Sequence, residues 1–68
     1  MAIENNISEN IKKRRTKLGL SQEVFAQKSG VKYTSLTKIE SGVIKTPSVL
    51  VVAKIAKALG VSIEDIIK

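Results

Sequence analysis

The residues best suited to chemistry in this sequence are hydrogen-bonding side chains that follow a glycine turn, within the segment from Ser21 to Glu40. Gly30 can take the positive φ of a sharp turn between two helices at little steric cost. Beyond it, Val31, Leu36 and Ile39 are apolar and could anchor a second helix. The long or polar side chains between them, which could face outward, are Lys32, Tyr33, Thr34, Thr37 and Lys38. A buried anchor with an exposed polar face is how a helix-turn-helix holds a helix in the major groove of DNA.

The charge distribution also favours an anionic partner. The net charge is +6, but between Lys12 and Lys57 there are eleven Lys or Arg against Glu23 and Glu40, which leaves a body of +9. The remaining acids lie toward the two ends: Glu4, Glu9, Glu64 and Asp65. Such a surface can simply keep a small protein in solution, or it can attract a polyanion. Its combination with the helix-turn-helix pattern favours nucleic acid.

Length and composition exclude several other classes of protein. The 68 residues, 43% of them apolar, suffice for one small domain over 1–68, with a single core and little room for a catalytic cavity. With no cysteine or histidine, we expect no disulfide and no metal site. No glycine-rich phosphate loop is present, so we expect no enzyme, no cofactor and no small-molecule ligand. Without a signal-peptide pattern or a long apolar stretch, we expect a cytoplasmic protein with no membrane partner.

The periodicity of apolar residues predicts an all-α fold of five helices. The first is expected to begin at Asn5 or Ser8 and to end at Lys17, before Gly19. Its inner face is expected to consist of Ile7, Ile11 and Leu18.

The second and third predicted helices contain the polar segment. Ser21 is a good N-cap for the second helix, which should bury Phe25 and Ala26. The third is expected from about Lys32 to Ser41, and Gly42 should stop it. Lys32 stands where a capping residue would be expected, so this helix should begin without a side-chain cap.

The fourth predicted helix has the clearest boundaries. Thr46 should cap it, with Pro47 at the first helical position, and Gly60 should close it. Ser62 then caps a last turn in which Asp65 is a weak capping-box partner. The inner stripe of the fourth helix is expected to consist of Val49, Val52, Ala53, Ile55, Ala56 and Leu59.

Several of these stretches together resemble the lambda-repressor-like (Cro/repressor, XRE-type) helix-turn-helix domains. The matching stretches between Ile7 and Ile67 are NIKKRRTKLGLSQ, FAQKSGV, KIESG, TPS and KIAKALGVSIEDII, at consistent spacing. The resemblance implies a compact five-helix bundle whose second and third helices form the helix-turn-helix. It also implies a transcriptional regulator that binds double-stranded DNA, usually as a homodimer on a palindromic operator.

The resemblance further implies two sets of DNA contacts. The residues expected to meet base edges are Lys32, Tyr33, Thr34 and Lys38. The residues expected to contact the DNA backbone are Gln22, Ser35, Ser41, Lys45 and Thr46. Lysine can donate to guanine O6 or N7, and threonine offers a hydroxyl together with a methyl for thymine. The alternative for each residue is a polar side chain that faces only water.

An ion pair is also implied, between Arg15 at the end of the first helix and Glu40 at the end of the third. Such a pair would lock the recognition helix to the first helix and would account for an acid on a basic face. The sequence departs from the family pattern at Ser29, where an apolar residue is common and a looser turn is therefore expected.

A second departure suggests a dimer contact. Leu50 and Val51 are apolar where family members usually carry polar groups. We therefore expect a homodimer through the fourth and fifth helices and their loop. The residues expected at the interface are Ile44, Leu50, Val51, Ile63 and Ile67.

More than one biological role remains open from the sequence alone. A protein–protein adaptor with this fold is an alternative to a DNA-binding regulator. Among DNA-binding roles, a restriction–modification controller, a phage-type repressor and an antitoxin are equally compatible. The chain could be complete or the N-terminal part of a longer regulator.

Overall fold

The computed structural model describes residues 7–67, and these form five α-helices with no strand among them. The helices are α1 (Ile7–Lys17), α2 (Gln22–Ser29), α3 (Tyr33–Glu40), α4 (Val49–Leu59) and α5 (Ile63–Ile67). The predicted all-α bundle is confirmed. The alternative start of the first helix at Asn5, and the acid Glu4, lie outside the described residues. None of these helices is long and apolar enough to cross a membrane.

Each helix contributes to the same core. Helix α1 packs against α3, α4 and α5, and α2 packs against α3 and α4. One fully inaccessible side chain comes from every helix: Ile11, Phe25, Leu36, Ile55 and Ile66. Burying a large apolar side chain contributes roughly 1.5–3 kcal/mol. The five helices therefore hold one another in place by apolar packing.

The turn between α2 and α3 is tightly hydrogen-bonded. Gly30 has φ +76° in the left-handed region, and its N–H donates to the Ala26 carbonyl at 3.0 Å. Ser29 is buried; its hydroxyl donates to the Ala26 carbonyl and accepts from the Val31 N–H. The expectation of a looser turn at Ser29 is therefore wrong. The Ser29 hydroxyl forms hydrogen bonds with two backbone groups, which an apolar side chain could not do.

The N-terminus of α4 differs from the prediction. Ser48, not Thr46, is the N-cap: its Oγ accepts from the Val51 N–H at 3.3 Å, and Pro47 precedes the cap. Serine and threonine have similar capping chemistry, so residue type alone does not choose between these positions. The Ile44 N–H donates to the Lys38 carbonyl at 3.0 Å, which ties the connecting loop to the last turn of α3.

Two apolar residues predicted to face inward do not. Val49 is 76% exposed because it is the first residue of α4, at the edge of the core. Leu18 is 54% exposed because α1 ends at Lys17, so Leu18 no longer follows the helical period. The other predicted members of the α4 stripe are buried or half-buried: Val52, Ala53, Ile55, Ala56 and Leu59.

The remaining helix boundaries follow the prediction closely. At α5, the Asp65 N–H donates to Ser62 Oγ and the Ser62 N–H donates to Asp65 Oδ2, which confirms the capping box. Helix α3 begins after Lys32 without a side-chain cap, also as predicted, and ends at Glu40, one residue early.

Candidate nucleic-acid interface

Helix α3 has one buried side and one exposed side. Leu36 and Ile39 are buried in the core, and Val31 is buried at the turn that leads into the helix. The opposite side carries Thr34 and Lys38, which lie one helical turn apart and are both exposed. The Gly30 turn and this apolar anchoring therefore present a polar helical face to solvent.

The four predicted base-contact residues are all accessible to solvent, at the start of α3 and on the helix itself. Lys32, Tyr33, Thr34 and Lys38 are all exposed. Lys32 is the N-cap residue in extended conformation, and the first turn of α3 holds no acid. The surface that begins at Lys32 thus offers hydrogen-bond donors without a competing carboxylate in that turn.

The five predicted backbone-contact residues lie in two groups. Gln22 is the first residue of α2, and Ser35 is half-buried on α3. Ser41, Lys45 and Thr46 are exposed at the end of α3 and in the loop that follows it. Because Ser48 caps α4, the Thr46 hydroxyl is not needed for that role.

Arg15 and Glu40 form a buried bidentate ion pair. Arg15 Nε donates to Glu40 Oε2 at 2.7 Å, and Arg15 Nη2 donates to Glu40 Oε1 at 3.0 Å. The two side chains are 10% and 2% exposed. Arg15 Nη1 also donates to the Leu20 carbonyl at 2.7 Å, and Gln22 Nε2 donates to Glu40 Oε1 at 3.0 Å.

This network joins four parts of the chain. Arg15 comes from α1, Leu20 from the α1–α2 connection, Gln22 from the start of α2, and Glu40 from the end of α3. Bidentate arginine–carboxylate contacts fix geometry as well as charge. The one acid of α3 is therefore turned inward and neutralised, and the network fixes the orientation of α3 relative to α1 and α2.

A groove of about 380 Å³ adjoins the exposed face of α3. It is lined by Gly30, Val31, Lys32, Ser35, Val51 and Lys54. Sequence reasoning assigned no role to Lys54. The only signal available was its position away from the inner stripe of α4, which says nothing about the neighbouring helix.

The predicted dimer-face residues divide into two groups. Ile44 and Val51 are half-buried and pack against the protein's own core, which leaves them less surface for a partner. Leu50, Ile63 and Ile67 are exposed, Leu50 at 67% and Ile67 at 47%.

Comparison with known proteins gives consistent matches. The helix-turn-helix family model HTH_3 matches residues 11–66. The biofilm master regulator SinR, solved in complex with DNA, is 33% identical, with 85% of this chain and 92% of that chain covered and a TM-score of 0.82. The DNA-binding domain of SinR from Bacillus subtilis is 31% identical, with coverage of 90% and 88% and a TM-score of 0.87. The restriction–modification controller C.AhdI from Aeromonas hydrophila is 28% identical, with coverage of 90% and 91% and a TM-score of 0.83.

Proposed function

The chain belongs to the HTH_3 helix-turn-helix family and is a DNA-binding transcriptional regulator, and we propose that it reads a palindromic operator as a homodimer with α3 in the major groove. The observation that carries this proposal is the polar face of α3, held in one orientation by the buried network of Arg15, Gln22 and Glu40. Base edges are read by hydrogen bonds of fixed direction, so the helix that carries the donors must itself be fixed.

The proposed base contacts follow from the chemistry of the exposed residues. Lys32 and Lys38 are donors for guanine O6 or N7, and Thr34 combines a hydroxyl with a methyl for thymine. Tyr33 adds a hydroxyl that can donate at the edge of the groove. Since Thr34 and Lys38 are one turn apart on α3, they would meet neighbouring base pairs.

The proposed backbone contacts surround this face. Ser35, Ser41 and Thr46 supply hydroxyls, and Lys45 supplies a charge, at the sides of the helix and in the loop beyond it. The Gln22 side-chain amide donates to Glu40. This hydrogen bond holds the Gln22 side chain at the start of α2, beside the proposed DNA surface. Phosphate contacts of this kind fix register without reading sequence.

Residues 1–68 would act as one DNA-binding unit, since a single core takes a side chain from each helix. One such unit reads only a half-site, and two half-sites read together supply operator specificity. The exposed apolar residues Leu50, Ile63 and Ile67 support a two-fold contact through α4 and α5. Val49 adds to this surface because the structure turns it outward.

Selection of bound sequences from random duplex DNA tests the proposal. We expect an enriched palindrome whose half-site centres are about one helical turn apart. Lys38→Ala should relax the preference at one position per half-site and weaken binding by about 1–3 kcal/mol. Lys28→Ala is the matched control, because Lys28 is an exposed lysine on α2 that is not among the proposed DNA contacts. Absence of any enriched sequence would instead favour the adaptor function.

A further inference from the structure

The groove between α3 and α4 joins residues of two kinds. Val31 and Val51 provide an apolar floor, and the side chains of Lys32 and Lys54 line the same cavity. Ser35 adds a hydroxyl from the side of α3. The arrangement combines positive charge and a donor with a short apolar surface.

No ion pair within 7–67 balances the lysines of the groove. None of its lining residues is acidic, and within 7–67 neither Lys32 nor Lys54 forms an ion pair. Two lysines without an acid beside them attract an anion more strongly than either does alone. A cleft lined by one sign of charge also concentrates the field that attracts a counter-ion.

From these features we propose that the groove seats one deoxyribose-phosphate unit of the operator backbone, with Lys54 of α4 as an additional phosphate-contacting residue. The inference rests on the DNA-binding function proposed above and adds a contact from a helix outside the helix-turn-helix. The phosphate lies between Lys54 and the Ser35 hydroxyl. The C–H groups of the sugar pack on Val31 and Val51.

The position of Lys32 locates this nucleotide. Lys32 borders the groove and also begins the surface proposed to meet base edges. The phosphate held by Lys54 therefore belongs to a nucleotide close to the bases that α3 contacts. DNA-backbone contacts so close to the recognition helix would fix the depth of that helix in the DNA major groove.

The salt dependence of binding to the selected operator tests the proposal. Each phosphate contact by a lysine contributes about one unit to the slope of log K against log salt. Lys54→Gln should reduce the slope by about one unit for each chain bound, and Lys54→Arg should preserve it. Lys54→Gln should also weaken binding to all sequences alike and leave the selected motif unchanged.

Lys57→Gln is the matched control, because Lys57 is exposed on the same helix but does not line the groove. Equal slopes for Lys54→Gln, Lys57→Gln and the original protein on DNA that still binds would overturn the Lys54 contact and leave the DNA-binding function standing. A changed sequence motif in Lys54→Gln would also overturn it, since a phosphate contact carries no base preference. No binding of duplex DNA by the original protein would overturn both proposals.

Discussion

At the scale of single residues, Glu40 shows how an acid can belong to a helix proposed to bind DNA. Its carboxylate accepts from Arg15 Nε, Arg15 Nη2 and Gln22 Nε2. Both of its oxygens are therefore hydrogen-bonded within the protein. Taking a carboxylate and a guanidinium out of water costs several kcal/mol per ion, and close bidentate pairing offsets that cost. The pair is therefore better understood as fixing the orientation of α3 than as a source of net stability.

Removing one partner of this pair should strongly destabilise the fold. Glu40→Ala leaves the Arg15 guanidinium buried without its carboxylate, so we expect the free energy of unfolding to fall by about 3–5 kcal/mol. Urea denaturation followed by circular dichroism measures the change. Glu23→Ala is the matched control: Glu23 is an exposed acid on α2, and its loss should change stability by no more than about 0.5 kcal/mol.

Two further variants keep this prediction testable if Glu40→Ala does not fold. Glu40→Gln retains the shape of the side chain but removes its charge, and it should still be clearly less stable than the original protein. The double variant Arg15→Met, Glu40→Leu should recover much of the loss, because an apolar pair of similar volume strands no charge. Equal stability of Glu40→Gln and Glu23→Ala would contradict the assignment.

At the scale of helices, the start of α4 depends on which of two hydroxyl residues caps it. Thr46 with Pro47 satisfies the sequence rules for a helix start, and so does Ser48. Ser48 has the extended conformation of an N-cap, with φ −65° and ψ 155°. These angles are close to the φ −73° and ψ 164° of Ser21, the N-cap of α2. The choice matters for function because it leaves the Thr46 hydroxyl for the proposed phosphate contact.

Paired substitutions distinguish the two caps. Ser48→Ala should lower the free energy of unfolding by about 0.5–2 kcal/mol, because the Val51 N–H loses its acceptor. Thr46→Ala should have a clearly smaller effect on stability, and thermal unfolding of both variants measures the difference. A larger loss in Thr46→Ala than in Ser48→Ala would show that the helix begins earlier.

At the scale of the whole molecule, half of the exposed large apolar side chains within 7–67 lie on α4 and α5. Val49, Leu50, Ile63 and Ile67 are all exposed there. Scattered apolar residues are ordinary on protein surfaces, whereas a group on adjacent elements marks an interaction site. A second copy of the chain would cover this surface and bring two recognition helices together.

Sedimentation velocity at high micromolar concentration tests this homodimer. We expect the original protein to sediment as a dimer and Ile67→Arg to shift toward monomer, because the new charge would lie in an apolar interface. Leu18→Arg is the control, since Leu18 is similarly exposed but lies outside this surface, after α1. A monomeric original protein, or equal behaviour of the two variants, would count against the interface.

The number of helices, most of their boundaries and the polar positions of the third helix could be predicted from the sequence. These features are local: an apolar period, a capping serine or a left-handed glycine acts within a few residues, so its signal lies in consecutive positions. Gly30 and the Ser62–Asp65 capping box are examples, and the structure confirms both.

The choice among locally equivalent residues depends on contacts between distant parts of the chain. Thr46 and Ser48 have similar capping chemistry, and Lys54 and Lys57 lie on the same side of a helical wheel, but their neighbours in space differ. Lys54 borders a groove with Lys32, 22 positions earlier in the chain, and a period along α4 carries no information about that neighbour. The orientation of the segment from Ser21 to Glu40 likewise depends on Arg15, which lies 25 positions before Glu40 and meets it only because α1 packs against α3.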